Sequence, residues 1–220
     1  MENKIIVIDG TSNAGKTTLC TMYSQTFENV GIIPGTTQFV KEHKELYPNG
    51  IPPIPKNKEE EIKNQKFFFD LELHRLIYAN KMAKECKNVL MDRNVLEILA
   101  VAYSLEKDET YKGVYLNACN LYKEYVKCAN ENKIKLPDKY VILFASQNEL
   151  EKRNLKRENT LANEWIEKSL IDRQKIFFDR FLKKHQEVSI KIDTDNKNEK
   201  EVLQKVEEIL QMRKRRKRWW

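Results

Sequence analysis

The 220 residues are 40% hydrophobic and 33% charged, an ordinary balance for a soluble, helix-rich protein and enough for one α/β domain with a sizeable core. No apolar run approaches the ~20 residues of a membrane span, and the first residues read as strand and loop rather than as a signal peptide, so no transmembrane segment and a cytoplasmic location are expected. The net charge of +7 is a property of the C-terminus. Arg213, Lys214, Arg215, Arg216, Lys217 and Arg218 supply six positive charges in one run, so the charge does not mark the whole chain as a nucleic-acid binder.

Residues 4–8 are a short apolar run, Lys4-Ile5-Ile6-Val7-Ile8, that leads into Asp9-Gly10-Thr11-Ser12-Asn13-Ala14-Gly15-Lys16-Thr17-Thr18. This is G-x-x-x-x-G-K-[ST] between a predicted strand and a helix predicted over 17–27, the pattern of a phosphate-binding loop. Triphosphate oxygens must be met by several backbone N–H groups at once, and a glycine-relieved turn ending on a helix N-terminus presents them. Gly10, Thr11, Ser12, Asn13, Ala14, Gly15, Lys16, Thr17 and Thr18 are therefore the expected nucleotide-binding set. Lys16 is expected at the loop surface as a point charge for the β- and γ-phosphates, and the Thr17 hydroxyl as a ligand of the bridging Mg2+.

A weak strand signal falls at 37–40. Residues 47–55 hold Pro48, Pro52, Pro53 and Pro55 and must be extended. A long helix is predicted over 58–87, and within it Phe68, Glu72 and Arg75 share one face while Phe69 and Leu73 share the next. Such aromatic stripes are more commonly core than base-stacking wall. Arg75 lies in an otherwise apolar surround, where a guanidinium needs an anionic partner.

The strand predicted at 89–91 ends in Asp92-Arg93, where a carboxylate can hold Mg2+ or accept a proton and the arginine can grip an anionic acceptor. Helices follow over 96–105 and 111–130, then a strand at 140–145. Beyond it Arg153 and Arg157 are four apart, face the same way on a helix and suit a lid that stabilises charge on a triphosphate. A helix at 164–184, a strand at 188–192 and a helix at 200–215 complete the chain. Cys20, Cys86, Cys119 and Cys128 show neither C-x-x-C spacing nor a histidine cluster, so no zinc or disulfide framework is expected. Strands alternating with helices predict a parallel sheet covered on both faces, with ligands beyond the carboxyl ends of the strands. The expected organisation is one domain over 1–212, with a lid at about 147–162, and a basic-aromatic tail at 213–220. That tail, ending in Trp219 and Trp220, could touch nucleic acid or an anionic surface.

The phosphate loop, Phe69 through Arg75, Asp92-Arg93 and Arg153 through Arg157 together resemble the thymidylate kinase-like and deoxynucleoside kinase-like branch of the P-loop nucleotide kinases. The resemblance implies a three-layer α/β/α fold with a central, mostly parallel five-stranded sheet and a helical lid. It also implies ATP as donor, Mg2+ as cofactor and a nucleoside or nucleoside monophosphate as acceptor. By the same resemblance Lys16, Asp92, Arg153 and Arg157 would be catalytic, Thr17 and Asp92 would hold the metal, and Arg75, Arg93, Phe69 and, more weakly, Glu42 as general base would meet the acceptor. Residues 192–196 would lie near the donor adenine. Two departures stand out: Ser12 occupies a position that is acidic in thymidylate kinases, and the acceptor-loop pattern is missing from Gly35 through Glu42. They leave nucleoside and nucleoside monophosphate both open, as is a homodimer. A kinase of an unrelated metabolite or antibiotic hydroxyl is the enzymatic alternative. A nucleotide-dependent switch is the non-enzymatic one, disfavoured because N-K-x-D and D-x-x-G are absent.

Overall fold

A computed structural model describes residues 3–156 and 167–216. Strands β1 (Lys4–Gly10), β2 (Val30–Ile33), β3 (Asn88–Asp92), β4 (Lys139–Phe144) and β5 (Ser189–Asp193) form one sheet in the order β2-β3-β1-β4-β5. Every adjacent pair is parallel. The helices are α1 (Lys16–Thr26), α2 (Thr36–Glu42), α3 (Lys58–Met82), α4 (Val95–Leu105), α5 (Val114–Glu131), α6 (Gln147–Lys156), α7 (Lys168–Lys184) and α8 (Glu199–Arg216). The architecture is the expected three-layer α/β/α sandwich, and among the described residues no helix is long and apolar enough to cross a membrane.

Two cores follow from the period-2 alternation of a strand that is apolar on both sides. Ile5 and Val7 of β1 pack with Phe69, Leu71 and Leu76 of α3, Leu96 and Leu99 of α4 and Phe177 and Phe178 of α7. Ile6 and Ile8 face the other way, into Leu19 and Cys20 of α1 and Val202, Leu203 and Val206 of α8. The register then sets the site: Ile8 lies opposite Asp92, and Gly10 opposite Leu143. The end of β3 thus sits level with the start of the phosphate loop, where strand order reverses about β1.

The second strand lies at Val30–Ile33, and residues 36–42 are helical rather than extended. The sequence Val-Gly-Ile-Ile is short and glycine-bearing, which hid it as a strand. Its glycine is a packing requirement, because a Cβ on Gly31 would meet the Met82 sulfur of α3 at 2.1 Å. Helix α3 starts where predicted, with the Asn57 side chain accepting from the Glu60 N–H at 2.9 Å and Glu60 reaching back to the Lys56 N–H; such reciprocal capping fixes a helix start. It ends at Met82, five residues short of the predicted 87. Residues 47–55 form no helix or strand and are held by Asn64, which donates to the Pro53 carbonyl, and by the Tyr111 hydroxyl, which donates to that of Pro55. The basic run of the C-terminus begins inside α8, and residues 217–220 lie outside the described residues.

Candidate active site

The phosphate loop is shaped by backbone. Gly10 has φ +131°, and a Cβ there would lie 2.0 Å from the Leu143 carbonyl oxygen, so β1 and β4 close on each other only because the side chain is missing. Gly15, at φ +97°, has nothing within 4 Å of a would-be Cβ and opens the cradle instead. It is followed at once by α1, whose first turn has no side-chain cap, leaving N–H groups and the positive end of the helix for an anion. Ala14 is packed into the core below.

Lys16 departs from the expectation of a surface cation. It is 4% exposed, and its Nζ donates to the carbonyls of Gly10 and Thr11 at 3.0 and 2.6 Å. Burial, reinforced by the Arg93 charge, pushes its ammonium below the ordinary lysine range, so a charge brought to the loop by phosphate would be favourable to it. Asp9 underlies the turn, fully buried, with one carboxylate oxygen accepting from the Gly10 N–H at 2.8 Å. Burial raises its carboxyl, against the opposing pull of Lys16.

The structure brings the two expected metal-binding residues into contact: the Thr17 hydroxyl donates to Asp92 Oδ2 at 2.6 Å. Asp92 is 3% exposed, and its Oδ1 has no partner. A hydroxyl and a carboxylate with a free oxygen, next to a phosphate cradle, are the hard donors that suit Mg2+, which is held by one or two carboxylates together with phosphate oxygens rather than by a protein cage. Among the described residues no group of three or more His, Cys, Asp or Glu converges.

Beyond Thr17 opens a cleft of about 770 Å3, reached by Ser12, Thr17, Asp92 and Arg93 on one side and by α3 and residues 51–55 on the other. Helix α3 contributes Glu61, Asn64, Gln65, Phe68 and Glu72. The Gln65 amide is locked in one orientation, donating to Glu61 at 2.9 Å and accepting from Asn117 at 2.8 Å. A fixed amide beside the Phe68 ring can read the polar edge of a planar heterocycle. Arg93, at φ +69°, lines the cleft and is ion-paired with Glu97 of α4.

Three expected acceptor residues are not brought to this cleft. Arg75 is fully buried beneath it, donating to Glu72, to the Pro34 carbonyl at 2.9 Å, the Asp92 carbonyl at 2.7 Å and the Arg93 carbonyl at 3.3 Å. Its anionic partner is Glu72, three residues earlier, and its role in the geometry is to pin the ends of β2 and β3 to α3. Phe69 is core, 4% exposed and edge-on to Tyr125, because α3 turns it away from the face that carries Phe68. Glu42 is exposed at the end of α2, where it accepts from Gln38.

Arg153 does reach the phosphate loop. Its guanidinium donates to Glu149 at 2.9 Å, to the Asn13 carbonyl at 3.2 Å, and to the hydroxyl and carbonyl of Thr194 at 3.1 and 2.8 Å. It ties α6, the loop and the exit of β5 together, with four of its five N–H groups engaged. Arg157 and the rest of the expected lid after 156 lie outside the described residues. Among the residues that line the cleft, sequence reasoning did not place Gln65, Phe68 and Glu72. The signal for Glu72 was its i, i+3 spacing from a guanidinium that needed a partner. Nothing in the run Phe67-Phe68-Phe69 distinguishes which ring faces the cleft.

Fold and loop define a P-loop α/β/α protein. No family model matches the chain, and no curated protein sequence does. Solved structures do. Thymidylate kinase from Candida albicans is 15% identical, with 97% of this chain and 93% of that one covered at a TM-score of 0.68. Thymidylate kinase from Ehrlichia chaffeensis is 17% identical, with 96% and 100% covered at a TM-score of 0.60. Deoxyadenosine kinase from M. mycoides, solved with bound dCTP, is 20% identical, with 94% and 99% covered at a TM-score of 0.53. This chain has the fold of the nucleotide and nucleoside kinases over nearly its whole length.

Proposed function

We propose that the chain is an ATP- and Mg2+-dependent phosphotransferase acting on a nucleoside or nucleoside monophosphate, with residues 1–212 as the catalytic domain. The observation that carries this reading is the 2.6 Å contact between Thr17 and Asp92, at the junction of the phosphate loop and a cleft large enough for a nucleoside. The backbone from Gly10 to Thr18 would hold the triphosphate, and Lys16 would exchange its loop carbonyls for phosphate oxygens and follow the charge onto the transferred group. Thr17 and Asp92 would hold Mg2+, which when bound would supply charge neutralisation to the phosphates. Arg153 would hold the Asn13 carbonyl and so keep the loop in shape, with residues 147–162 as its lid. The similar structures are a nucleotide kinase and a nucleoside kinase by name, which supports the same acceptor class. Against an acceptor with no base stand the Gln65 amide and the Phe68 ring.

The test is ADP release from MgATP across nucleosides, nucleoside monophosphates and unrelated hydroxylated metabolites, with Lys16→Ala as control. Acceptor-dependent release that falls ~10³-fold in the variant is expected, the order of a lost transition-state donor. Acceptor-independent release would instead favour a switch or a simple hydrolase. Because Lys16 is buried and caps two carbonyls, the variant is also expected to lose about 1–3 kcal/mol of stability.

A further inference from the structure

Resting on the phosphotransferase reading, in which Asp92 holds the metal, we propose that Gly35 is a positioning residue. Its missing side chain leaves the room beside Asp92 Oδ2 that a hydrated cation needs. Nothing in the backbone asks for glycine here. Gly35 has φ −56° and ψ 158°, angles that ordinary residues adopt. It stands as the N-cap of α2, with its carbonyl accepting from the Gln38 and Phe39 N–H groups at 3.0 Å each. Serine, aspartate or asparagine at an N-cap would add a side-chain hydrogen bond to the helix start, and α2 has none. What glycine provides is clearance from one group. A Cβ on residue 35 would meet Asp92 Oδ2 at 3.3 Å, its Cγ at 3.6 Å and its carbonyl oxygen at 3.8 Å, and these are the three nearest atoms.

The gap is not free to widen by backbone movement. Its width is set by the buried Arg75 guanidinium, whose Nη2 donates both to the carbonyl of Pro34, one residue before Gly35, and to the Asp92 carbonyl, at 2.9 and 2.7 Å. One nitrogen thus fixes the separation of the two strand ends, while α2 holds the Gly35 carbonyl from the other side. An added side chain would therefore be met by the Asp92 carboxylate. That group has little freedom to yield, because Oδ1 is buried and Oδ2 accepts from the Thr17 hydroxyl at 2.6 Å. With Oδ1 enclosed, Oδ2 is the oxygen at which a cation can approach, between Thr17 and Gly35, both of which line the cleft. Mg2+ binds with several of its waters retained, so the ligand face must stay uncrowded. A methyl group at residue 35 would occupy that face.

Calorimetric titration of ATP into the full chain, in excess Mg2+ and in EDTA, measures how far the metal and the nucleotide assist each other's binding. The wild type is expected to bind ATP more tightly with Mg2+. For Gly35→Ala and Gly35→Ser the affinity in EDTA is expected to match the wild type, while the gain from Mg2+ falls ~10-fold or more, the loss typical of disturbing a group that supports a metal ligand. Both variants are expected to melt at or above the wild-type Tm, since alanine and serine suit these backbone angles and serine adds a cap. A preserved gain from Mg2+, or an ATP affinity that falls equally in EDTA, would overturn the inference. So would the loss of a melting transition in both variants, which would make Gly35 a packing requirement. A wild type whose ATP affinity ignores Mg2+ would overturn the inference and leave phosphoryl transfer to the ADP-release assay, whereas a wild type that binds no ATP in either condition would overturn the phosphotransferase reading itself.

Discussion

The proposed phosphate end of the cleft and its proposed acceptor wall are built by different means. At the proposed phosphate end the recognising groups would be backbone N–H donors of one contiguous loop, between Gly10 and Thr18, shaped by the close approach of β1 to β4 at Gly10 and by the start of α1. At the proposed wall they are side chains on one face of α3, Glu61, Gln65, Phe68 and Glu72, of which Gln65 is oriented by Asn117 on α5 and Glu72 by Arg75 further along α3. A site made of backbone handles the part that triphosphates share. One made of oriented side chains can choose among acceptors. Substitutions at the phosphate end should therefore slow every acceptor alike, and substitutions in the wall should change which acceptor is used.

Arg75 gives the hardest test, because it joins the two regions. Arg75→Met is expected to cost about 3–5 kcal/mol, the loss for breaking a buried ion pair, since it leaves Glu72 charged and buried and frees the Pro34 and Asp92 carbonyls. Urea denaturation measures it, and a loss under 1 kcal/mol would show that the two regions are not mechanically joined there. Phe69 and Phe68 separate packing from recognition. Phe69→Ala is expected to cost about 3–5 kcal/mol as a core truncation; Phe68→Ala is expected to spare most stability and to raise the acceptor KM without raising that for ATP. The reverse pattern would place the wrong ring in the wall.

Asp92 belongs to the phosphate end although it comes from β3. Asp92→Asn is expected to lower kcat ~10²-fold for every acceptor, with a stability change of about 1 kcal/mol because the amide oxygen can still accept from Thr17, read as turnover and Tm on one preparation. An active but destabilised variant would reduce it to a strand-end partner of Thr17. Arg153 is expected to give the smallest change. With its donors on Asn13 and Thr194, Arg153→Ala should cost about 1–3 kcal/mol of stability and less than tenfold in kcat, whereas a ~10²-fold loss at constant Tm would make it a transition-state donor.

The same contrast explains what was legible in the sequence. Backbone sites are contiguous, so the phosphate loop, its flanking strand and helix, and Asp92 at the end of a buried strand could be read in order. The wall is spread over α3, residues 51–55 and the start of α4, and its members are chosen by helix rotation and burial rather than by spacing. That is why Phe69 was expected at the acceptor where the cleft is lined by Phe68, and why Glu42, near the expected end of a misplaced second strand, lies away from it. Arg75 was singled out correctly as a guanidinium in need of an anion, yet three backbone carbonyls complete its shell, and carbonyls leave no mark on a sequence. Lys16 shows the complementary limit, since its residue type fixes its charge while its burial comes from the turn it folds back upon.

The central claim is that the γ-phosphate of ATP passes to an acceptor hydroxyl in this cleft. Single-turnover incubation of the chain with γ-labelled MgATP and a nucleoside mixture tests it most directly. The account expects the label on a nucleoside phosphate in step with ADP formation, and expects it to be lost with Lys16→Ala. Label appearing only as inorganic phosphate, at a rate indifferent to added nucleoside, would contradict it.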